Sequence, residues 1–523
     1  MERKWWTLLA VSIGTFMLLL DITIVNVALP AIQHALHATF ADLQWVVDAY
    51  ALTLAALLLT AGSLADMYGR RRLFAVGLGL FTAGSLLCGL SNSALFLIMA
   101  RGGQGLGGAV MFATALALLA QAFQGRDRGT AFGVWGAVTG IAVAIGPVLG
   151  GVITTGISWR WIFLVNVPIG VVALAVTLLR LEESRESRAR RPDLPGFLLF
   201  TGALGALVYG LIRANQTSWT DAGVLACFTA FVVLIVAFLV AERVGRHPMF
   251  DLGLFRVPTF SGGAVAAFGV SSSMFALILF IVLYMQNALG YSALGTGIRL
   301  IILSGASLVT SVAAGRLSAR MPVRWLIGPG LMLVALGLAL MSGLHATSAW
   351  THLIPGLILG GLGIGMVNPP LASTAVGVVH PPQAGMASGI NNTFRQVGIA
   401  TGIAALGSIF ATRVHHDVVS SLGRLPGVGP HAAQIATAIT QGNSGAGQVP
   451  PQAAAAIRSA ARAAFVSGLN EILLIGAAVA AVSAVLATLL IRSRDFVGHQ
   501  PGGAGQGGAA AATTSRRPEP APA

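Results

Sequence analysis

The chain has 523 residues, 55% of them hydrophobic and only 9% charged, with a mean hydropathy of +0.82. A soluble domain carries roughly 25% charged residues, so water is excluded as the solvent of much of this surface and lipid must take its place. The formal net charge of +14 does not mark a nucleic-acid binder, because the arginines are spread through short connections between apolar stretches, where they orient a membrane protein.

A stretch of about 20 apolar residues crosses the hydrocarbon core. Fourteen are predicted, at about 6–29, 43–64, 73–91, 94–120, 131–154, 161–180, 195–213, 221–241, 260–287, 293–314, 324–343, 351–372, 385–411 and 467–491. The first is longer than a secretory h-region and lacks a small-residue cleavage site, so it reads as a retained helix. With the N-terminus placed inside, the inner connections hold Arg70, Arg71 and Arg72, then Arg126 and Arg128, Arg185 to Arg191, Arg243 to Arg256, Arg316 to Arg324, and Arg492 with Arg494. Outer connections hold few, so both termini are predicted cytoplasmic. Cys88 and Cys227 lie in apolar stretches and suggest no disulfide framework.

The organisation that follows is an all-α polytopic membrane protein. Residues 1–181 form an N-terminal six-helix half, 182–259 a charged linker with two extra helices, and 260–497 a C-terminal six-helix half. The segment 412–466 is expected as a long outer loop with little to build a core from, part of 451–465 lying as a surface helix. Residues 498–523 read as a disordered inner tail. A faint repeat links Gly62–Arg70 with Gly315–Arg320, and the Gly-rich fifth span with the thirteenth. Repeated halves are a transporter signature.

A charge at the bilayer centre costs about 2.5–3.5 kcal/mol, so embedded charges need partners or a watery cavity. They are few: Asp21, Asp48, Arg101, Arg299, Arg395 and, near the start of span 14, Glu471. Counted from their helix ends at 1.5 Å per residue, Asp21, Asp48 and Arg101 share one layer about 8–12 Å deep. Two readings stand: carboxylates that bind a proton with an arginine tuning them, or a structural ion pair joining spans 1, 2 and 4. In span 5, Gly136, Gly140, Gly146, Pro147, Gly150 and Gly151 suit close helix packing, or a kinkable helix at a moving interface. The connection Gly62–Arg72 with Asp66 is either topogenic charge or a latch. Gly103, Gly105 and Gly108 match a dinucleotide fingerprint only formally, since no strand precedes them. Lys4 is the sole lysine, which excludes a Walker A site. No hydrolase motif or metal cluster is present, so neither an enzyme nor a cofactor is expected.

Together these motifs resemble the major facilitator superfamily, specifically its fourteen-helix drug:proton antiporters. The resemblance rests on Leu20–Pro30 in span 1, Leu43–Tyr50 opening span 2, Gly62–Arg72, Arg101–Ala109 in span 4, Gly140–Gly151 in span 5 and Trp159–Gly170 entering span 6. It implies two six-helix halves plus two central helices, with no cofactor and no metal. It implies that Asp21 is a proton-coupling or substrate-sensing acid and that Arg101 assists proton transfer, a set that Asp48 joins by its depth, and that Gly62, Asp66, Gly69, Arg70 and Arg71 form a cytoplasmic gate. It also implies that Gly140, Gly146, Pro147 and Gly150 shape the pivot of alternating access. Ser63 and Met67 depart from the gate pattern. The expected function is proton-coupled efflux of amphipathic small molecules across a bacterial cytoplasmic membrane, by a functional monomer. The scarcity of acids in the second half favours lipophilic monocations or neutral amphiphiles. A dedicated exporter of one metabolite or self-made antibiotic is the alternative; a non-transporting sensor or a membrane enzyme lacks a domain or catalytic set to support it.

Overall fold

The computed structural model describes residues 2–123, 125–183, 193–214, 217–245, 250–318, 320–379, 384–423, 428–440 and 451–496. Among these residues fourteen helices are long and apolar enough to cross a membrane. They are α1 (Arg3–Leu36), α2 (Phe40–Tyr68), α3 (Arg70–Gly89), α4 (Ala94–Ala122), α5 (Gly125–Gly156), α6 (Trp161–Arg180), α7 (Leu194–Ala214), α8 (Ala222–Val244), α9 (Pro258–Ala288), α10 (Ala293–Leu317), α11 (Arg324–Met341), α12 (Ile354–Gly377), α13 (Ala384–Leu422) and α14 (Pro451–Leu490).

Local chemistry sets the helix limits. Before α2 the Thr39 hydroxyl accepts from the Asp42 amide at 3.1 Å and the Asp42 carboxylate accepts from the Thr39 amide at 2.8 Å, a reciprocal cap for otherwise orphaned donors. Asp221 accepts from the amides of Gly223 (2.9 Å) and Val224 (3.3 Å) to start α8. Between α2 and α3 the chain reverses through Gly69 at φ 109°, a backbone state closed to residues with a Cβ.

Helices α1–α6 pack as one bundle around Met17, Leu18, Phe74, Phe81, Met111 and Phe123. Helices α9–α14 form the second. The pair α7 and α8 lies beside α2 and α13, joined by Phe200, Phe238 and Phe250 with ring centroids 5.2–5.5 Å apart. The other side of α8 exposes Val232, Val233, Val236 and Val240, which suits a lipid-facing surface.

The halves meet at the face opposite the termini. Gln286 of α9 donates to the Val27 carbonyl at 2.8 Å, the Leu294 amide to the Thr155 hydroxyl at 3.1 Å, and Gln44 to the Ile403 carbonyl at 2.9 Å. Phe40 stands between Phe280 and Phe410, with centroids 5.9 and 5.7 Å away. Toward the face bearing the termini, α2 and α13 stay in contact, with Leu59 against Gly389 and Thr393 on the Ala55 carbonyl. Gly140 is packed against Leu308, but Gly133, Gly136, Val312 and Gly315, the next residues on the facing surfaces, are exposed.

The segment 412–466 corrects one expectation. Rather than a loop without a core, it carries the end of α13, a short helix at Ala432–Thr440 and the first turns of α14. Val414, Val418, Leu422, Ala432, Ala436, Ile457 and Ala464 are buried there in the main core. Alanine-rich sequence hides this, because helix-on-helix packing of small side chains leaves little hydropathy signal. Residues 424–427 and 441–450 of the segment, and the tail from 497, lie outside the described residues.

Candidate functional site

Asp21 sits midway along α1 with none of its surface exposed, and Arg101 of α4 is 1% exposed. Their charges meet: Arg101 Nη1 donates to Asp21 Oδ2 at 2.5 Å, a charge-assisted bond of the short kind. The same nitrogen donates to Gln104 Oε1 at 2.7 Å, and Arg101 Nε to the Val46 carbonyl of α2 at 3.1 Å. Gln104 Nε2 donates to Asp21 Oδ1 at 2.9 Å and to Ser85 Oγ at 2.7 Å, and Asn166 Nδ2 reaches Ser85 at 3.1 Å. The guanidinium lies 4.2 Å from the centroid of the Tyr50 ring and 5.7 Å from that of Phe163, an aromatic setting that favours a cation. Five helices of the first half thus converge on one neutral, hydrogen-bonded cluster.

Helical spacing explains the convergence. Arg101 and Gln104 are three residues apart and share a face of α4. The glycines around them let neighbours close in. A Cβ on Gly105 would lie 2.7 Å from the Tyr50 carbonyl, and one on Gly107 2.3 Å from the Phe81 amide. The sequence expectation found Asp21 and Arg101 but missed Gln104, Ser85 and Asn166. Gln104 was the findable one, a lone amide in an apolar span one turn from an arginine.

Asp48 takes a different place. It is fully buried, yet neither carboxylate oxygen has a hydrogen-bond partner among the described residues. It lies on the α2 face that contacts α13, between the Gln44–Ile403 bond and the contact of Thr393 with the Ala55 carbonyl at 3.4 Å. The grouping by depth does not carry over to direction. The structure joins Asp21 to Arg101 and leaves Asp48 at the seam between the halves.

A cavity of about 20 Å³ adjoins the cluster, lined by Ile22, Val25, Val47, Tyr50, Ala51, Arg101, Gln396 and Ile399. That is room for about one water molecule. It separates the arginine from α13 of the other half.

The candidate gate residues bind within the first half. Arg71 donates from Nε to the Thr177 carbonyl at 3.3 Å and from Nη2 to the Leu178 carbonyl at 2.5 Å. It thereby caps the last turn of α6, where carbonyls lack partners and a cation is favourable. Three arginines in the first turn of α3 oppose that helix's dipole. Glu183 offsets them, accepting from the Arg71 amide at 3.2 Å and standing 3.6 Å from Arg72 Nε. Arg70 is half-buried in the same turn. A Cβ on Gly69 would lie 2.4 Å from the Glu183 carboxylate, whereas one on Gly62 would meet nothing within 4 Å. The side chain of Asp66 lies outside the described residues.

The glycines of α5 serve two surfaces. A Cβ on Gly146 would lie 1.9 Å from the Thr23 hydroxyl, and one on Gly150 2.8 Å from the Ile24 carbonyl, both in α1. On the other side the Pro147 carbonyl would lie 2.3 Å from a Cβ on Gly297 of α10, and Gly151 meets Ala293. Gly140 faces Leu308 of α10. One helix is thus pressed against the Asp21-bearing helix and against the opposite half.

Comparisons with known proteins agree with this architecture. The family model described as Major Facilitator Superfamily matches residues 11–403. The chain is 39% identical to the "Multidrug resistance protein Stp" of Mycobacterium tuberculosis over 77% of this chain and 75% of that protein. It is 36% identical to the "Tetracenomycin C resistance and export protein" of Streptomyces glaucescens over 93% and 91% of the two chains. It is 37% identical to the "Puromycin resistance protein pur8" of Streptomyces alboniger over 78% and 82%. A crystal structure of a bacterial homolog of the human lysosomal transporter Spinster, inward-facing and unoccupied, superposes with a TM-score of 0.60 at 17% identity, covering 94% of this chain and 99% of that one. With its fourteen membrane helices, the chain belongs to the major facilitator superfamily of transporters.

Proposed function

We propose that this protein exports amphipathic drugs or other toxic small molecules across the bacterial cytoplasmic membrane in exchange for protons, working as a monomer by alternating access. The observation that carries the reading is the Asp21 carboxylate, buried in α1, balanced by Arg101 and Gln104, and next to a water-sized cavity between the halves. As a carboxylate it neutralises the arginine. Protonated, it leaves a buried cation without its counter-charge, which is costly in a water-poor interior. Helix α1 then has a reason to shift against α4. Thr23 and Ile24, two and three residues beyond Asp21, press on Gly146 and Gly150. A shift of α1 therefore reaches α5, and through Pro147 and Gly297 it reaches α10 of the other half.

The arginine-rich face, where both termini lie, is assigned to the cytoplasm. In that orientation the halves are joined at the outer face, and toward the inner face α2 and α13 stay in contact through Leu59 on Gly389 and Thr393 on the Ala55 carbonyl. The driving force is adequate. Moving one elementary charge through 100 mV is worth about 2.3 kcal/mol. At roughly 150 mV an inward proton supplies about 3.5 kcal/mol, enough for roughly a 300-fold gradient of a neutral substrate.

The test uses inside-out vesicles containing the protein, an imposed proton gradient read by a pH-sensitive dye, and a panel of lipophilic cations, neutral antibiotics and acidic polycyclic compounds. Substrate-induced dissipation is expected for a subset of the panel. Substrate uptake that persists unchanged after an ionophore collapses the gradient would contradict the proposal. A second reading, an exporter dedicated to one self-made compound, is favoured by the relative of nearly full coverage named for tetracenomycin C resistance and export. A response to one chemical scaffold only would select it.

A further inference from the structure

The second half carries one charge deep in the membrane region that the coupling cluster does not use. Arg395 lies eleven residues into α13, about 16 Å from its start at 1.5 Å per residue, near the middle of a hydrocarbon core about 30 Å thick. It is half-buried, and its Nη2 donates to Asn368 Oδ1 of α12 at 3.1 Å. No carboxylate of the described residues lies within ion-pair distance of it.

Its surroundings define a face. Ser388, Asn392, Arg395 and Ile399 recur at helical spacing along α13 and are all half-buried, with Gln396 beside them. Ile399 and Gln396 line the cavity beside Arg101. The other faces of α13 are occupied. Thr393 and Gly389 meet α2, while Gly398 and Gly402 press on the Phe268 and Ser272 backbones of α9. Arg395 thus adjoins the strip of α13, Gln396 and Ile399, that lines the small space between the halves. Across that space stand Ile22, Val25 and Val47, an apolar wall. The charges nearby do not cancel Arg395. Arg101 and Asp21 cancel each other, and Asp48 sits on the α2-facing side of α13 rather than the cavity side.

We propose that Arg395, with Asn368, Asn392 and Gln396, is the cargo-anchoring site, and that the preferred cargo is an amphiphile carrying an acidic group such as a carboxylate or phenolate, with its apolar body against α1 and α2 once the water-sized space between the halves widens. This rests on the export reading and narrows it, moving the expected charge of the substrate from cationic or neutral to anionic. The chemistry is that of a guanidinium held half-dry with amide groups beside it. Such a group gains a charge-assisted bond from an anion and repels a cation.

Binding can be measured without transport. The full-length protein in lipid nanodiscs is equilibrated by dialysis with three matched probes: 1-pyrenebutyrate, its uncharged amide, and a pyrenebutyl-trimethylammonium cation, with empty nanodiscs subtracted. The anion is expected to bind about ten- to a hundredfold tighter than the amide, the range of one charge-assisted bond, and the cation weakest. Arg395→Gln should erase the anion's advantage, whereas Arg395→Lys should keep most of it, which separates charge recognition from misfolding. Asp21→Asn frees Arg101 of its counter-charge and should not lower the anion's advantage, whereas Arg395→Gln should, so a failed coupling assignment and a failed cargo assignment give different patterns. Affinity indifferent to probe charge, or an anion preference that survives in Arg395→Gln, would overturn the proposal.

Discussion

The two halves treat their deep arginines in opposite ways. Arg101 is 1% exposed, paired with a carboxylate, bonded to an amide and a carbonyl, and covered by aromatic rings. Arg395 is half-buried, bonded to one amide oxygen, and next to Gln396 and Ile399, which line the space between the halves. A closed, satisfied cluster suits a group that must change charge without leaking it, because every partner is preorganised. An open, under-paired cation suits a group whose partner arrives and leaves. The proposed division of labour between halves rests on burial and pairing, not on residue type.

The contrast can be broken at four points, in falling order of effect. Arg101→Ala should be the most damaging change. It strands a fully buried carboxylate, and breaking such a pair costs about 3–5 kcal/mol. Poor yield of monodisperse protein, a strongly lowered Tm and loss of efflux are expected; a variant with the parental Tm would mean that the pair is not held as described. Gly146→Val comes next. Its side chain would collide with Thr23, whose hydroxyl is 1.9 Å from where even a Cβ would sit, so α1 and α5 must separate. At least a tenfold loss of efflux with membrane insertion retained is expected, scored by uptake into vesicles of matched protein content.

Gly69→Ala probes the connection that ties α3 to the end of α6. The backbone at φ 109° and the nearby Glu183 carboxylate oppose a methyl group, at a cost of about 1–3 kcal/mol. A drop of several degrees in Tm with partial loss of transport should follow, and Arg101-dependent behaviour should be unchanged. Thr39→Ala should be mildest. It removes one cap at the start of α2, at the face opposite the termini, worth about 1 kcal/mol. Its Tm should fall slightly while efflux stays normal, and a large loss of efflux would mean that the contacts between the halves at the face opposite the termini depend on that cap.

Much of the fold could be read from the sequence, because fourteen apolar runs and the dispersed arginines are strong signals. Helix depth placed Asp21 and Arg101 in one layer, and the structure pairs them. Depth said nothing about direction, so Asp48 was grouped with them although it faces α13. Direction depends on helix rotation, which an almost uniformly apolar span does not reveal. Gln104, Ser85 and Asn166 were invisible for another reason: small polar residues are common in membrane helices, and only packing selects those that meet. The alanine-rich ends of α13 and α14 failed on hydropathy, since alanine builds a close helix contact while scoring as weakly apolar. Arg395 was visible as an embedded charge, but the role proposed for it needed the third dimension, which sets it beside the cavity-lining Gln396 and Ile399.

The most direct test of the coupling assignment is Asp21→Asn in the inside-out vesicle assay. The substitution keeps size and a hydrogen-bonding group but removes the exchangeable proton. It should abolish substrate-induced dissipation of the proton gradient while energy-independent exchange of labelled substrate across the same membranes continues. If the variant instead dissipates the gradient as the parent does, with the same dependence on pH, Asp21 does not carry the coupled proton and its pair with Arg101 is structural only.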